Sequence, residues 1–98
     1  MKVKIHEGYR NIIAICDSNL IGKRFEKGKI QIDVKPSFYD GEEKTEKEIS
    51  EIIQDGKAED STFSIVGKKA VELALKNNII TKEGIITVQD IPVALVLL

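Results

Sequence analysis

The sequence predicts one α+β domain over residues 1–98: about five short, mostly antiparallel strands with two helices packed on one face. Three observations predict it. Apolar runs of strand length recur at 2–6, 11–16, 30–34, 85–89 and 93–98, separated by turn residues. Two longer stretches carry helical spacing instead. The chain of 98 residues is 42% hydrophobic and 32% charged, enough to bury one core without disulfides or a structural metal.

In order, Val3 and Ile5 alternate with Lys2, Lys4 and His6 as on a half-buried strand, and a turn at 7–10 follows. Residues 11–16, NIIAIC, are apolar on both faces and read as an interior strand paired with the first. Asp17, Ser18 and Asn19 offer caps for a short helical turn over 20–25. Ile30, Ile32 and Val34 alternate as a third strand that Pro36 stops. Residues 37–43 read as a loop holding Phe38, Tyr39, Asp40 and Gly41. Thr45 with Glu48 forms a capping box, and Ile49, Ile52 and Ile53 give the helix behind it a narrow apolar face that Gly56 closes.

The stretch 61–78 carries the strongest pattern. Phe63, Val66, Gly67, Ala70, Val71 and Ala74 fall on one helical face, with Lys68, Lys69, Glu72 and Lys76 opposite. One amphipathic helix is expected over its whole length, capped by Ser61, Thr62 or Ser64 and ended by Asn77 and Asn78. The last run, 93–98 from Val93 to Leu98, is apolar on both faces and must lie inside the sheet or be covered by a partner.

Charge bounds the partners. The net charge is −1, so no global field attracts nucleic acid or anionic lipid. The distribution is uneven, however: residues 1–39 hold eight Lys/Arg against four Asp/Glu, and residues 40–60 hold three against nine. The acidic segment reads as a solvated helix face. One cysteine excludes an internal disulfide and a cysteine-based zinc site, and fits a reducing cytoplasm. No signal-peptide pattern is present, and the terminal apolar run is too short to span a bilayer. Thirteen Lys, ten Glu and sixteen Ile match the bias of proteins from hot environments.

Candidate chemistry is sparse. If the first two strands pair about the 7–10 turn, His6 lies opposite Asn11 and Cys16 opposite Met1. That separates imidazole from thiol by about 16 Å along the strand, which argues against a dyad within one subunit. Cys16 reads as a buried thiol and His6 as a solvated side chain; no cofactor or metal site is expected. An enzyme using Cys16 and Asp17 ranks last. Two similar patterns remain, Leu20-Ile21-Gly22-Lys23-Arg24 and Ile65-Val66-Gly67-Lys68-Lys69. Neither has the spacing of a phosphate-binding P-loop. Each sets cations near an expected helix start, where they oppose the helix dipole and, with backbone N–H groups, suit phosphate oxygens. The simpler reading is that Gly22 and Gly67 permit close packing while the cations stay in water. Tyr39 is a candidate base-stacking residue, whereas Phe38 reads as a plug at the core's edge.

Residues Cys16-Asp17, Leu20-Ile21-Gly22-Lys23, Phe25, Gly28, Ile32-Asp33-Val34 and Phe38-Tyr39-Asp40-Gly41-Glu42 form a combined pattern. With residues 65–71 and 85–92 it resembles an archaeal family catalogued as domain of unknown function 424. The resemblance covers nearly the whole chain. It implies an archaeal, compact α+β domain without an assigned activity, associated with translation and RNA-handling genes. Phe63-Ser64 stands where the family commonly has a small residue and Asn, and Val93 stands where a His is frequent.

The resulting expectation is a small, cytoplasmic, non-enzymatic binding module for RNA or a ribonucleoprotein. Lys23, Arg24, Lys68 and Lys69 would contact phosphates, Tyr39 would stack, and Gly22, Gly41 and Gly67 would be structural. The alternative is a protein-interaction or self-associating domain that uses residues 93–98 or the acidic helix.

Overall fold

The computed structural model of the chain describes residues 1–97. Its eight strands are β1 (Lys2–His6), β2 (Ile12–Cys16), β3 (Arg24–Lys27), β4 (Ile30–Asp33), β5 (Glu42–Glu43), β6 (Thr62–Val66), β7 (Ile86–Val88) and β8 (Ile91–Val96). The helices are α1 (Pro36–Tyr39), α2 (Glu46–Ala58) and α3 (Lys68–Lys76). Six strands form one sheet in the order β5-β1-β2-β6-β8-β7, and β3 and β4 form a separate two-stranded ribbon. All pairs are antiparallel except β2 with β6. The fold is therefore α+β and mostly antiparallel, with eight strands where about five were expected.

The sheet is covered on both faces. Ile13, Ile15, Phe63 and Ile65 pack against Ile49 and Ile53 of α2 and Ala70, Val71, Leu73 and Ala74 of α3. The alternate residues Ala14, Cys16 and Val66 turn to the other face, where Leu20, Val34 and Tyr39 cover them, with Phe25 and Ile32 of the ribbon. Two long helices on one face match the expectation; the ribbon and α1 on the other were not foreseen.

The largest correction concerns 61–78. Thr62–Val66 is a strand, and only Lys68–Lys76 is helical. Phe63 and Val66 stand three apart, so they satisfied a helical period while lying on opposite faces of a strand buried on both sides. Gly67 separates the two elements at φ +110°, a conformation no helix passes through. The helix does end at Asn77, with Asn78 left-handed at φ 58°.

Smaller corrections share a cause in turn chemistry. The expected helical turn over 20–25 is a 3₁₀ turn at Ser18–Leu20 followed by β3. The Lys27-Gly28-Lys29-Ile30 turn then reverses the chain into β4. The loop over 37–43 contains α1, which Pro36 opens, and the two-residue β5. Thr45 and Glu48 form the capping box, but Gly56 lies inside α2, where a Cβ would stand 2.5 Å from Ile13 Cδ1. The β1–β2 register is one residue from that expected: His6 faces Ile12, and Lys2 faces Cys16. β8 lies between β6 and β7, but of the terminal run expected inside the sheet only Val93 is paired on both sides, and Leu95 and Leu97 are exposed; Leu98 lies outside the described residues.

Candidate nucleic-acid interface

The candidate residues are positioned by the parallel pair β2 and β6. From the end of β2 the chain passes to the ribbon face; from the end of β6 it passes into α3 on the helix face. Adjacent parallel strands whose connections part to opposite faces leave a crevice beyond their C-terminal ends. Met1, Asp17, Ser18, Asn19, Lys68 and Lys69 line a depression of about 390 Å³ there.

Asp17 dominates this crevice. Its carboxylate accepts from the Lys69 N–H at 3.1 Å and from the Ala70 N–H at 2.8 Å. It thereby caps α3 from a strand fifty residues away, in place of the local Ser or Thr caps expected. Gly67 makes this possible twice over. It holds a positive φ, and a Cβ on it would stand 2.4 Å from Asp17 Cγ. At the helix start expected to hold a phosphate, the N–H groups of Lys69 and Ala70 are thus occupied by the protein's own carboxylate. The ammonium groups of Lys68 and Lys69 remain exposed above it.

The second cationic pattern is not at a helix start. Gly22 donates its N–H to Val34 O at 2.8 Å and Lys23 to Leu20 O at 3.0 Å, so those donors are also taken. Lys23 and Arg24 instead begin the ribbon. Arg24 pairs with Glu26 at 3.3 Å on the surface, which contributes little. Between positions 23 and 35 stand five cations, Lys23, Arg24, Lys27, Lys29 and Lys35, against Glu26 and Asp33. All five are exposed. Among the described residues, none of these four lysines forms an ion pair. Lys27, Lys29 and Lys35 were not among the expected contacts. A Gly between two lysines and two alternating runs was the available hairpin signal.

Tyr39 is not placed to stack on a base. Its ring is buried in the second core and its hydroxyl shares a 2.7 Å hydrogen bond with Ser64 Oγ. Burial raises its pKa, a rise the Ser64 hydrogen bond offsets in part. His6 is also less solvated than expected: its ring stacks on Phe38 at 4.4 Å, and Nε2 lies 2.9 Å from Phe38 O. Phe38 is accordingly a plug over β1.

Gly41, one of the three glycines expected to be structural, lies against β1, where a Cβ would stand 2.0 Å from Val3 O. Gly22 has φ +83° at the ribbon's base.

The Cys16 thiol is inaccessible to solvent and donates to Asp17 O at 3.2 Å. Burial and, second, the Asp17 charge push its pKa to about 12. A thiol so held is neither ionised nor reachable near neutral pH. The Asp17 carboxylate is held by two backbone N–H groups as the cap of α3. Among the described residues, no helix is long and apolar enough to cross a membrane.

A family model described as "Protein of unknown function (DUF424)" matches residues 5–98. The chain belongs to this family. A crystal structure of an uncharacterized conserved protein from Methanopyrus kandleri superimposes with a TM-score of 0.73 at 22% sequence identity. The match covers 98% of this chain and 90% of that one. At that identity the likeness is one of fold. No curated protein matches the chain.

Proposed function

We propose that this DUF424 protein is a non-enzymatic binding module whose ligand is RNA or a ribonucleoprotein. The observation that carries the reading is the separation of charge. Lysines without ion-pair partners among the described residues lie on the ribbon, and Lys68 and Lys69 at the head of α3 are likewise unpaired there. Acids outnumber bases on α2 and its flanks, from which Glu43 reaches Ser18 and the N-terminus at the edge of the depression. Lysine ammonium groups in water, without an ion-pair partner among the described residues, suit phosphate oxygens, and such contacts release counterions from the nucleic acid. Lys23, Arg24, Lys68 and Lys69 are phosphate contacts in this reading; Tyr39 has no part in it.

The test is binding to a labelled structured RNA across a salt series, with an acidic polymer as competitor. A steep linear fall of log affinity with log salt, weakly competed, is expected, and Lys23→Ala/Lys68→Ala flattens the slope. No binding at low salt would overturn the reading.

A second reading, self-association, has its own observation. Among the described residues, β7 covers β8 only along 91–93, so residues 94–96 have no strand on that side, where Leu95 and Leu97 are exposed. A concentration-dependent mass in solution that Leu95→Lys abolishes would support it; a monomer at all concentrations would remove it.

A further inference from the structure

This inference rests on the RNA-binding reading and names the form of RNA. We infer that the ligand is double-helical RNA, held through its phosphates by the tip of the β3–β4 ribbon without base stacking.

Rings for a single-strand platform are missing where the cations are. The chain has three Phe, two Tyr and no Trp. Phe63 and Tyr39 are buried, Phe25 is packed into the second core, and Phe38 lies under His6. Tyr9 alone is fully exposed. It sits in the turn before β2, at the opposite end of that strand from the one leading to the ribbon. Single-strand binders gain roughly 1–3 kcal/mol for each base stacked on an aromatic ring, and the ribbon offers no ring for it.

The ribbon's outer face also speaks against reading base edges. Arg24 faces Asp33 and Glu26 faces Gln31 across the ladder, while Phe25 and Ile32 turn inward to the core. Inserting that outer face into a groove would bring two carboxylates between rows of phosphates. The tip is different: Lys27 and Lys29 flank Gly28 in a two-residue turn, with the Ile30 side chain half exposed and no acid within the turn. In A-form RNA the major groove is deep and narrow, so proteins recognise the duplex by 2′-OH and phosphate contacts across the shallow minor groove and by the phosphates that border the major groove, not by the bases within it. A narrow tip with two flexible cations suits that geometry. The B-form major groove, wide enough for a whole ribbon, would meet the acidic face.

The experiment compares an RNA duplex, a DNA duplex of the same sequence and an unstructured oligouridylate of equal nucleotide number. Each is titrated into the full chain and into Lys27→Ala/Lys29→Ala. Lys27 ends β3 and Lys29 lies in the turn, and both are exposed, so an unchanged circular-dichroism melt verifies the fold. We expect the RNA duplex to bind tightest and the variant to lose roughly tenfold or more at 0.1 M salt. The magnitude of its log–log salt slope should fall by about 2. Equal or tighter binding of oligouridylate or of the DNA duplex overturns the inference and leaves the RNA-binding reading standing. So does an unchanged duplex affinity in the variant. Absence of binding to all three overturns both.

Discussion

The two faces of the central sheet are built on different principles. Under α2 and α3 the contacts are aliphatic: Ile13, Ile15 and Ile65 meet Ile49, Ile53, Val71 and Leu73 with no polar atom among their side chains. Under the ribbon and α1, the cover is short, its outer half lies in water, and polar contacts enter it, Tyr39 with Ser64 and His6 with Phe38 O. Apolar burial on the helix face supplies stability. The ribbon face is thereby left able to carry exposed cations that add nothing to folding. Stability is expected to rest on the helix face, and binding on the ribbon together with the exposed Lys68 and Lys69 at the head of α3.

The largest effect should come from the helix face. Ile15→Ala removes a fully buried side chain at the centre of the sheet and should cost about 3–4 kcal/mol in a denaturant titration. Ile32→Ala, on the half-buried ribbon, should cost only about 1–2 kcal/mol. Equal costs would break the comparison.

Next is the joint between the faces. Gly67→Ala forces a side chain into a positive φ and onto Asp17, and should cost about 3 kcal/mol. Asp17→Ala leaves the N–H groups of Lys69 and Ala70 without their acceptor and should cost about 2 kcal/mol. A smaller loss for both together than for their sum would show that they act as one contact. Tyr39→Phe deletes one buried hydrogen bond and should cost about 1 kcal/mol, with RNA affinity unchanged.

Alkaline pH sharpens the comparison on the ribbon side. Cys16 has its pKa raised from 9.0 to about 12. Its contribution is fully present below pH 9 and is lost as the pH rises toward 12, because over that range the unfolded chain ionises first. Stability should fall in that window, by at most about 1.4 kcal/mol per pH unit from this group, and less steeply in Cys16→Ala. Thiol reagents should leave Cys16 unmodified until the protein unfolds.

Much of the fold was legible where one period applied without competition. β1, β2, β4 and the capped α2 follow from alternation, an apolar run and the Thr45–Glu48 pair. The stretch 61–78 misled because Phe63, Val66, Ala70 and Ala74 fit one helical face, while the strand 62–66 is buried on both sides and leaves no alternation to read. Only Gly67 marked the break, and glycine is also compatible with a packed helix. β3 was missed for a related reason: Asp17 to Asn19 resembled local helix caps, whereas Asp17 caps a helix start 52 residues away. Long-range capping leaves no spacing in a sequence. Of the candidate site, Lys23, Arg24, Lys68 and Lys69 were visible as exposed cations. The burial of Tyr39 depends on Ser64, twenty-five residues on, and could not be read from its neighbours.

The most direct test of the central claim is amide chemical-shift mapping of the 98-residue chain during titration with structured RNA. The account predicts salt-sensitive shifts gathered over 22–35 and at Lys68 and Lys69, with α2 silent. Shifts confined to 46–58 or to the β8 edge at 94–97, or none at low salt, would contradict it.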